Sequence, residues 1–65
     1  MNSIQESIRN LRKDGYSQSR IAREIGVEQP TVSRWEAGDT SNSAEAGFRL
    51  ALLEKRAASK RKRAA

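Results

Sequence analysis

Apolar residues recur along the chain at helical spacing, separated by short polar stretches. Ile4, Ile8 and Leu11 fall at i, i+4 and i+7, one stripe of an amphipathic helix. Ser3 and Glu6 have the S-x-x-E spacing of a capping box, so a helix is expected from Ile4 to Lys13. Asp14-Gly15 ends it, since Gly15 can take the left-handed conformation of a C-cap. Ile21, Ala22 and Ile25 mark the inward face of a second helix, Gln18 to Ile25, capped by Ser17 and broken by Gly26. Val27 is expected to turn back into the core. A third helix should run from Gln29 to Ala37, with Pro30 in the first turn, where a missing N–H costs nothing. Gly38-Asp39 stops it, and Thr40-Ser41-Asn42-Ser43 is a polar connection in which Asn42 and Glu45 offer a further capping box.

The fourth helix, Ala44 to Ala57, has two apolar stripes. One holds Ala44, Phe48, Ala51 and Leu52; the other holds Ala46, Leu50, Leu53 and Ala57. A surface helix needs only one apolar face, so the second predicts a wider core contact or a partner subunit. Leu50, Leu53 and Ala57 are read here as the dimer interface. No segment reads as a strand, and the expected fold class is all-α with four helices.

Charge changes the picture at one end. Six of the thirteen lysines and arginines lie between Lys55 and Arg63, leaving the rest of the chain with seven basic and eight acidic residues. The body is therefore nearly neutral, and the basic end could grip a polyanion. Like charges repel, so residues 58–65 are expected to form a disordered basic tail beyond a single domain at 1–57. A chain of 65 residues has room for one small core. With no cysteine and no histidine, disulfides, zinc fingers and histidine-based catalysis are excluded. No phosphate-cradling glycine loop or paired carboxylates suggest an enzyme, and no cofactor or small-molecule ligand is implied. No run of about 18 apolar residues is present, and no signal-peptide pattern opens the sequence, so a cytoplasmic location (prokaryotic cytoplasm or nucleoid) is expected.

The segment from Ser17 to Glu36 carries the functional signal. Two short helices meet at Gly26; Ala22 is small enough for close crossing, and Ile21, Ile25, Val27, Val32 and Trp35 can close one core. This is a helix-turn-helix arrangement, whose second helix is presented to the major groove. At about 100° per residue, Val32 and Trp35 share one side of the third helix. The opposite side holds Pro30, Ser33 and Ala37, flanked by Gln29 and Arg34. Arg34 could pair bidentately with guanine and Gln29 with adenine; Ser33 can donate or accept, and Pro30 can offer apolar contact. The start of the second helix, with Gln18, Ser19 and Arg20, could hold a backbone phosphate through its N–H groups and dipole.

On the residues Ser17-Gln18, Ile21-Ala22, Ile25-Gly26-Val27, Gln29, Thr31-Val32-Ser33 and Trp35-Glu36-Ala37-Gly38, the chain resembles the Cro/cI-repressor (XRE) family of helix-turn-helix proteins over about residues 4 to 53. The resemblance implies a lambda-repressor-like, all-helical domain that binds operator DNA as a symmetric dimer and represses transcription. Base readers would map onto Glu28, Gln29, Pro30, Ser33 and Arg34. Phosphate contacts would map onto Ser17, Gln18, Ser19, Arg20 and Thr31, and the basic tail adds Lys60, Arg61, Lys62 and Arg63. The family's glutamine at the start of the second helix contacts phosphate and braces the one opening the third, so Gln18 and Gln29 would be that pair. The run Arg12-Lys13-Asp14-Gly15 is one residue shorter than the family pattern, leaving Arg9 and Arg12 both candidates for an ion pair with Glu36. A basic tail stands where relatives carry a fifth helix, and Glu28 would be disfavoured beside phosphate unless it accepts from cytosine.

The expected function is a dimeric repressor of a phage or mobile-element promoter, its own gene among the candidate targets, bound to a palindromic operator with recognition helices about 34 Å apart. The alternative is an antitoxin or activator that binds DNA and a protein partner through the fourth helix. A basic RNA-binding peptide led by the tail is the third reading.

Overall fold

Four helices, α1 (Ile4–Lys13), α2 (Gln18–Ile25), α3 (Gln29–Glu36) and α4 (Ala44–Ala64), make up the computed structural model, which describes residues 3–64, with side chains as far as residue 60. No strand occurs among the described residues.

Local chemistry sets the helix ends. Ser3 caps α1, its hydroxyl accepting from the Glu6 N–H at 3.1 Å, and Ser17 caps α2 by accepting from the Arg20 N–H at 3.0 Å. At the end of α2, Gly26 has φ 78, and the Val27 N–H reaches back to the Ala22 carbonyl at 2.9 Å. That bond closes a Schellman motif, which needs the left-handed backbone that glycine adopts without penalty. The α1 terminus repeats it, with Gly15 at φ 97 and the Tyr16 N–H on the Leu11 carbonyl. The α3 helix opens on Gln29-Pro30 and stops one residue earlier than expected, at Glu36.

One core joins all four helices. Ile8 and Leu11 from α1, Ile21, Ala22 and Ile25 from α2, Val32 and Trp35 from α3, and Ala46, Leu50, Leu53 and Ala57 from α4 are buried together with Tyr16. Val27 packs against this cluster, as its place after Gly26 suggests. Each large apolar side chain taken wholly from water contributes on the order of 1.5–3 kcal/mol. Polar side chains then tie the elements together. Arg49 of α4 donates Nη1 to the Ile25 carbonyl at 2.9 Å, satisfying the last turn of α2, and Asn10 donates to Glu54 at 3.2 Å between α1 and α4. The Trp35 indole donates to the Ser41 carbonyl at 3.3 Å, fixing the α3–α4 connection against the core.

Three expectations are corrected in α4. Leu50, Leu53 and Ala57, read from sequence as a dimer interface, are buried inside this single chain. The stripe left outside is the other one, where Phe48 is 71% and Leu52 46% exposed. Both stripes are apolar, so periodicity could not rank them; the positions of α1, α2 and α3 decide which is covered. Second, the helix passes Ala57 and runs to Ala64, where the charge run predicts a disordered tail. Alanine, lysine and arginine are strong helix formers, and cations at a helix C-terminus are favoured by its dipole, which offsets part of their mutual repulsion. Third, the residue next to Ala44 is Ser43, whose carbonyl accepts from Gly47 and whose hydroxyl donates to the Thr40 carbonyl at 2.5 Å. Asn42 sits one residue further out at φ 59, so the Asn42–Glu45 capping box is not formed.

Candidate nucleic-acid interface

The α2–α3 pair presents a ridge and not a cleft. Val32 and Trp35 anchor α3 to the core, which turns its opposite side outward. Gln29, Pro30 and Arg34 are exposed on that side and Ser33 is half-buried. A hollow of about 480 Å³ lies behind the turn, where Ile25, Trp35, Ala46 and Arg49 meet. Glu28 and Thr31 line that hollow too, so they flank α3 on the side facing the start of α4, away from Gln29. A protruding polar helix face of this kind fits the width of a DNA major groove.

A chain of hydrogen bonds orients the ridge. Gln29 donates Nε2 to the side-chain oxygen of Gln18 at 2.6 Å, and Gln18 donates its own Nε2 to Glu36 Oε1 at 2.6 Å. Arg12 Nη1 stands 3.6 Å from the same Glu36 oxygen, and Gln5 donates to the Glu36 backbone carbonyl at 2.9 Å. The choice between Arg9 and Arg12 is thereby resolved for Arg12. The pair is half-exposed, with side-chain exposures of 42% for Arg12 and 25% for Glu36, so its value is orientation more than stability. Gln18 and Gln29 can each still offer a second amide hydrogen outward after making these bonds. That leaves Gln18 a donor beside the open start of α2 and Gln29 an exposed donor–acceptor edge.

The other expected contacts are placed as follows. Ser17 and Ser19 are exposed at the start of α2, Ser17 with its oxygen engaged as the cap. Arg20 lies over the Tyr16 ring at 4.1 Å and 3.9 Å from Glu24, so a phosphate would compete with those partners. Lys60 is exposed on α4; the side chains of Arg61, Lys62 and Arg63 lie outside the described residues. Near Arg34, the Asp39 carboxyl is held below its ordinary value, first by the hydrogen bond from the Ser41 hydroxyl, then by the Ser41 N–H, with the Arg34 charge adding to both. The Ser41 hydroxyl bond is 2.7 Å long. This places a fixed negative charge beside the end of α3. Sequence reasoning did not foresee the roles of Gln5 and Arg49, because each acts on an element distant along the chain and matches no local pattern.

Together, the paired short helices, the outward polar face of α3 and the glutamine brace define a helix-turn-helix DNA-binding domain. A family model described as Helix-turn-helix matches residues 8–53. The chain belongs to that family, as an XRE-type, Cro/cI-like domain with a lambda-repressor-like fold. Domains of this family are regulatory and not catalytic. No curated protein and no solved structure matches the chain. Among the described residues, no helix is long and apolar enough to cross a membrane.

Proposed function

We propose that the chain is a sequence-specific regulator of transcription, a homodimeric repressor acting on a palindromic operator at a phage or mobile-element promoter, its own included. The observation that carries this reading is the Gln29–Gln18–Glu36 relay. It holds the Gln29 and Gln18 side chains in fixed relation on one edge of the helix pair, which supports reading Gln29 as a base contact and Gln18 as a phosphate contact. Such preorganisation removes part of the ordering cost of binding and gives the protein one register on the duplex. Base contacts would come from Gln29, Pro30, Ser33 and Arg34, with Glu28 at the margin toward α4. Phosphate contacts would come from the start of α2, from Thr31 and from the basic end of α4. Repression would be steric, the bound protein occupying the site that polymerase needs.

Selection from a pool of random duplexes tests the specific reading. The expected result is enrichment of an inverted repeat whose half-sites lie one helical turn apart, protected as such in a footprint. Equal binding to every duplex would overturn it. A reporter driven by the DNA upstream of the gene tests the sign of regulation, and repression is expected.

A second reading, an antitoxin or activator that binds DNA and another protein, draws on the exposed Phe48–Leu52 stripe. Sizing the protein alone and with the products of adjacent genes separates the two.

A further inference from the structure

We infer that the exposed stripe of α4 is the surface on which a second copy of this chain docks, with the two α4 helices antiparallel about a two-fold axis near Leu50. This rests on the homodimer reading above and names the surface that reading lacks now that Leu50, Leu53 and Ala57 are in the core. Among the described residues, Phe48 and Leu52 are the large apolar side chains left exposed, and they sit one turn apart on one helix. At about 100° per residue, Ala44, Ala51, Lys55 and Ser59 fall on the same outward side, Glu45 lies at its edge, and Leu50 and Ala57 lie opposite.

The charges on this stripe choose the partner and its direction. An antiparallel pair centred near residue 50 sets Phe48 of one copy against Leu52 of the other, and in the same register sets Glu45 against Lys55. Two-fold symmetry makes each of these contacts twice, so one helix carries both halves of a self-complementary surface. A parallel pair would instead set Glu45 against Glu45 and Lys55 against Lys55. Sliding the antiparallel pair by two turns would put Leu52 onto Lys55. Opposite charges flanking an apolar centre, with like charges facing each other in the competing alignment, is how paired helices select orientation. Within one chain Glu45 is 3.8 Å from Arg49, but its side chain is 90% exposed and can turn toward a facing lysine. The apolar centre is small beside standard interfaces, so association without DNA will be weak and strongest on the operator, where both copies are held side by side.

Charge exchange in the full chain tests this. Sedimentation of the wild-type protein across a wide concentration range should show a reversible monomer–dimer equilibrium. Lys55→Glu and Glu45→Lys, each alone, should weaken self-association at least tenfold, because like charges then face each other twice. Mixing the two variants should restore it, since every facing pair in the mixed dimer is opposite in sign. Both positions are solvent-exposed, so circular dichroism should show an unchanged fold. Phe48→Ala should weaken full-operator binding while leaving binding to a single half-site duplex intact. A protein that stays monomeric at every concentration, or a dimer indifferent to Lys55→Glu and Phe48→Ala, would overturn the docking surface. Failure of the wild-type protein to bind a half-site would instead count against the DNA-reading role, which keeps the two failures apart.

Discussion

Gln29 and Gln18, eleven positions apart in sequence, are joined side chain to side chain at 2.6 Å. Gln29 opens α3, proposed to face the groove; Gln18 opens α2, proposed to cross the DNA backbone. On the proposed function, the bond links the sequence-reading helix to the one that sets its position. Glu36 fixes the far end of the link, and Arg12 stands behind Glu36.

Breaking that link should loosen recognition more than the fold. In Gln18→Ala, stability is expected to fall by about 1–2 kcal/mol, the usual net worth of the two part-exposed bonds lost. Operator affinity should fall by a similar or larger amount, and preference at the base pair facing Gln29 should relax. Titration against duplexes varied at that position measures both. Gln18→Glu should be worse at neutral pH, because two carboxylates would meet at hydrogen-bond distance. One of them would then have a raised pKa, so the deficit should shrink as pH falls toward the carboxylate range.

Arg34 is exposed near the end of α3, with the negative Asp39 beside it. Arg34→Ala should cost about 1–3 kcal/mol of operator affinity and relax preference at a single base pair. Uniform weakening on all sequences would make Arg34 a phosphate contact instead.

Leu53 and Phe48 offer a direct contrast within one helix. Leu53→Glu trades a buried apolar side chain for a carboxylate at the edge of a hollow that Arg49 and Arg56 also line, and should destabilise the chain by at least about 2 kcal/mol, a large share of so small a domain's stability. Phe48→Ser, on the exposed stripe, should shift stability by no more than about 0.5 kcal/mol. Thermal melts followed by circular dichroism give both values. The reverse order would mean that the two stripes of α4 had been exchanged.

The basic end of α4 should act through salt-dependent attraction. Removing residues 60–63 is expected to reduce the slope of log affinity against log salt by about 0.9 for each phosphate that the shortened chain no longer neutralises, with sequence preference unchanged. An unchanged slope would show that these charges take no part in binding.

Much of this protein is written in local sequence. Helix starts and stops follow from Ser3, Ser17, Gly15 and Gly26, because a cap or a left-handed residue acts on backbone groups within a few positions of itself. The inward face of α3 is legible for a related reason, since Val32 and Trp35 are its large apolar residues and fix by spacing which side faces out. The Gln18–Gln29 pair was accessible through family resemblance, and its geometry agrees with that reading. Tertiary structure alone decided the rest. It chose Arg12 over Arg9 for Glu36, sent Arg49 to the Ile25 carbonyl, and buried the Leu50–Leu53–Ala57 stripe while leaving Phe48 and Leu52 outside. Each of these is a contact between elements far apart along the chain. When two choices have equal local merit, only the packing of distant helices separates their energies.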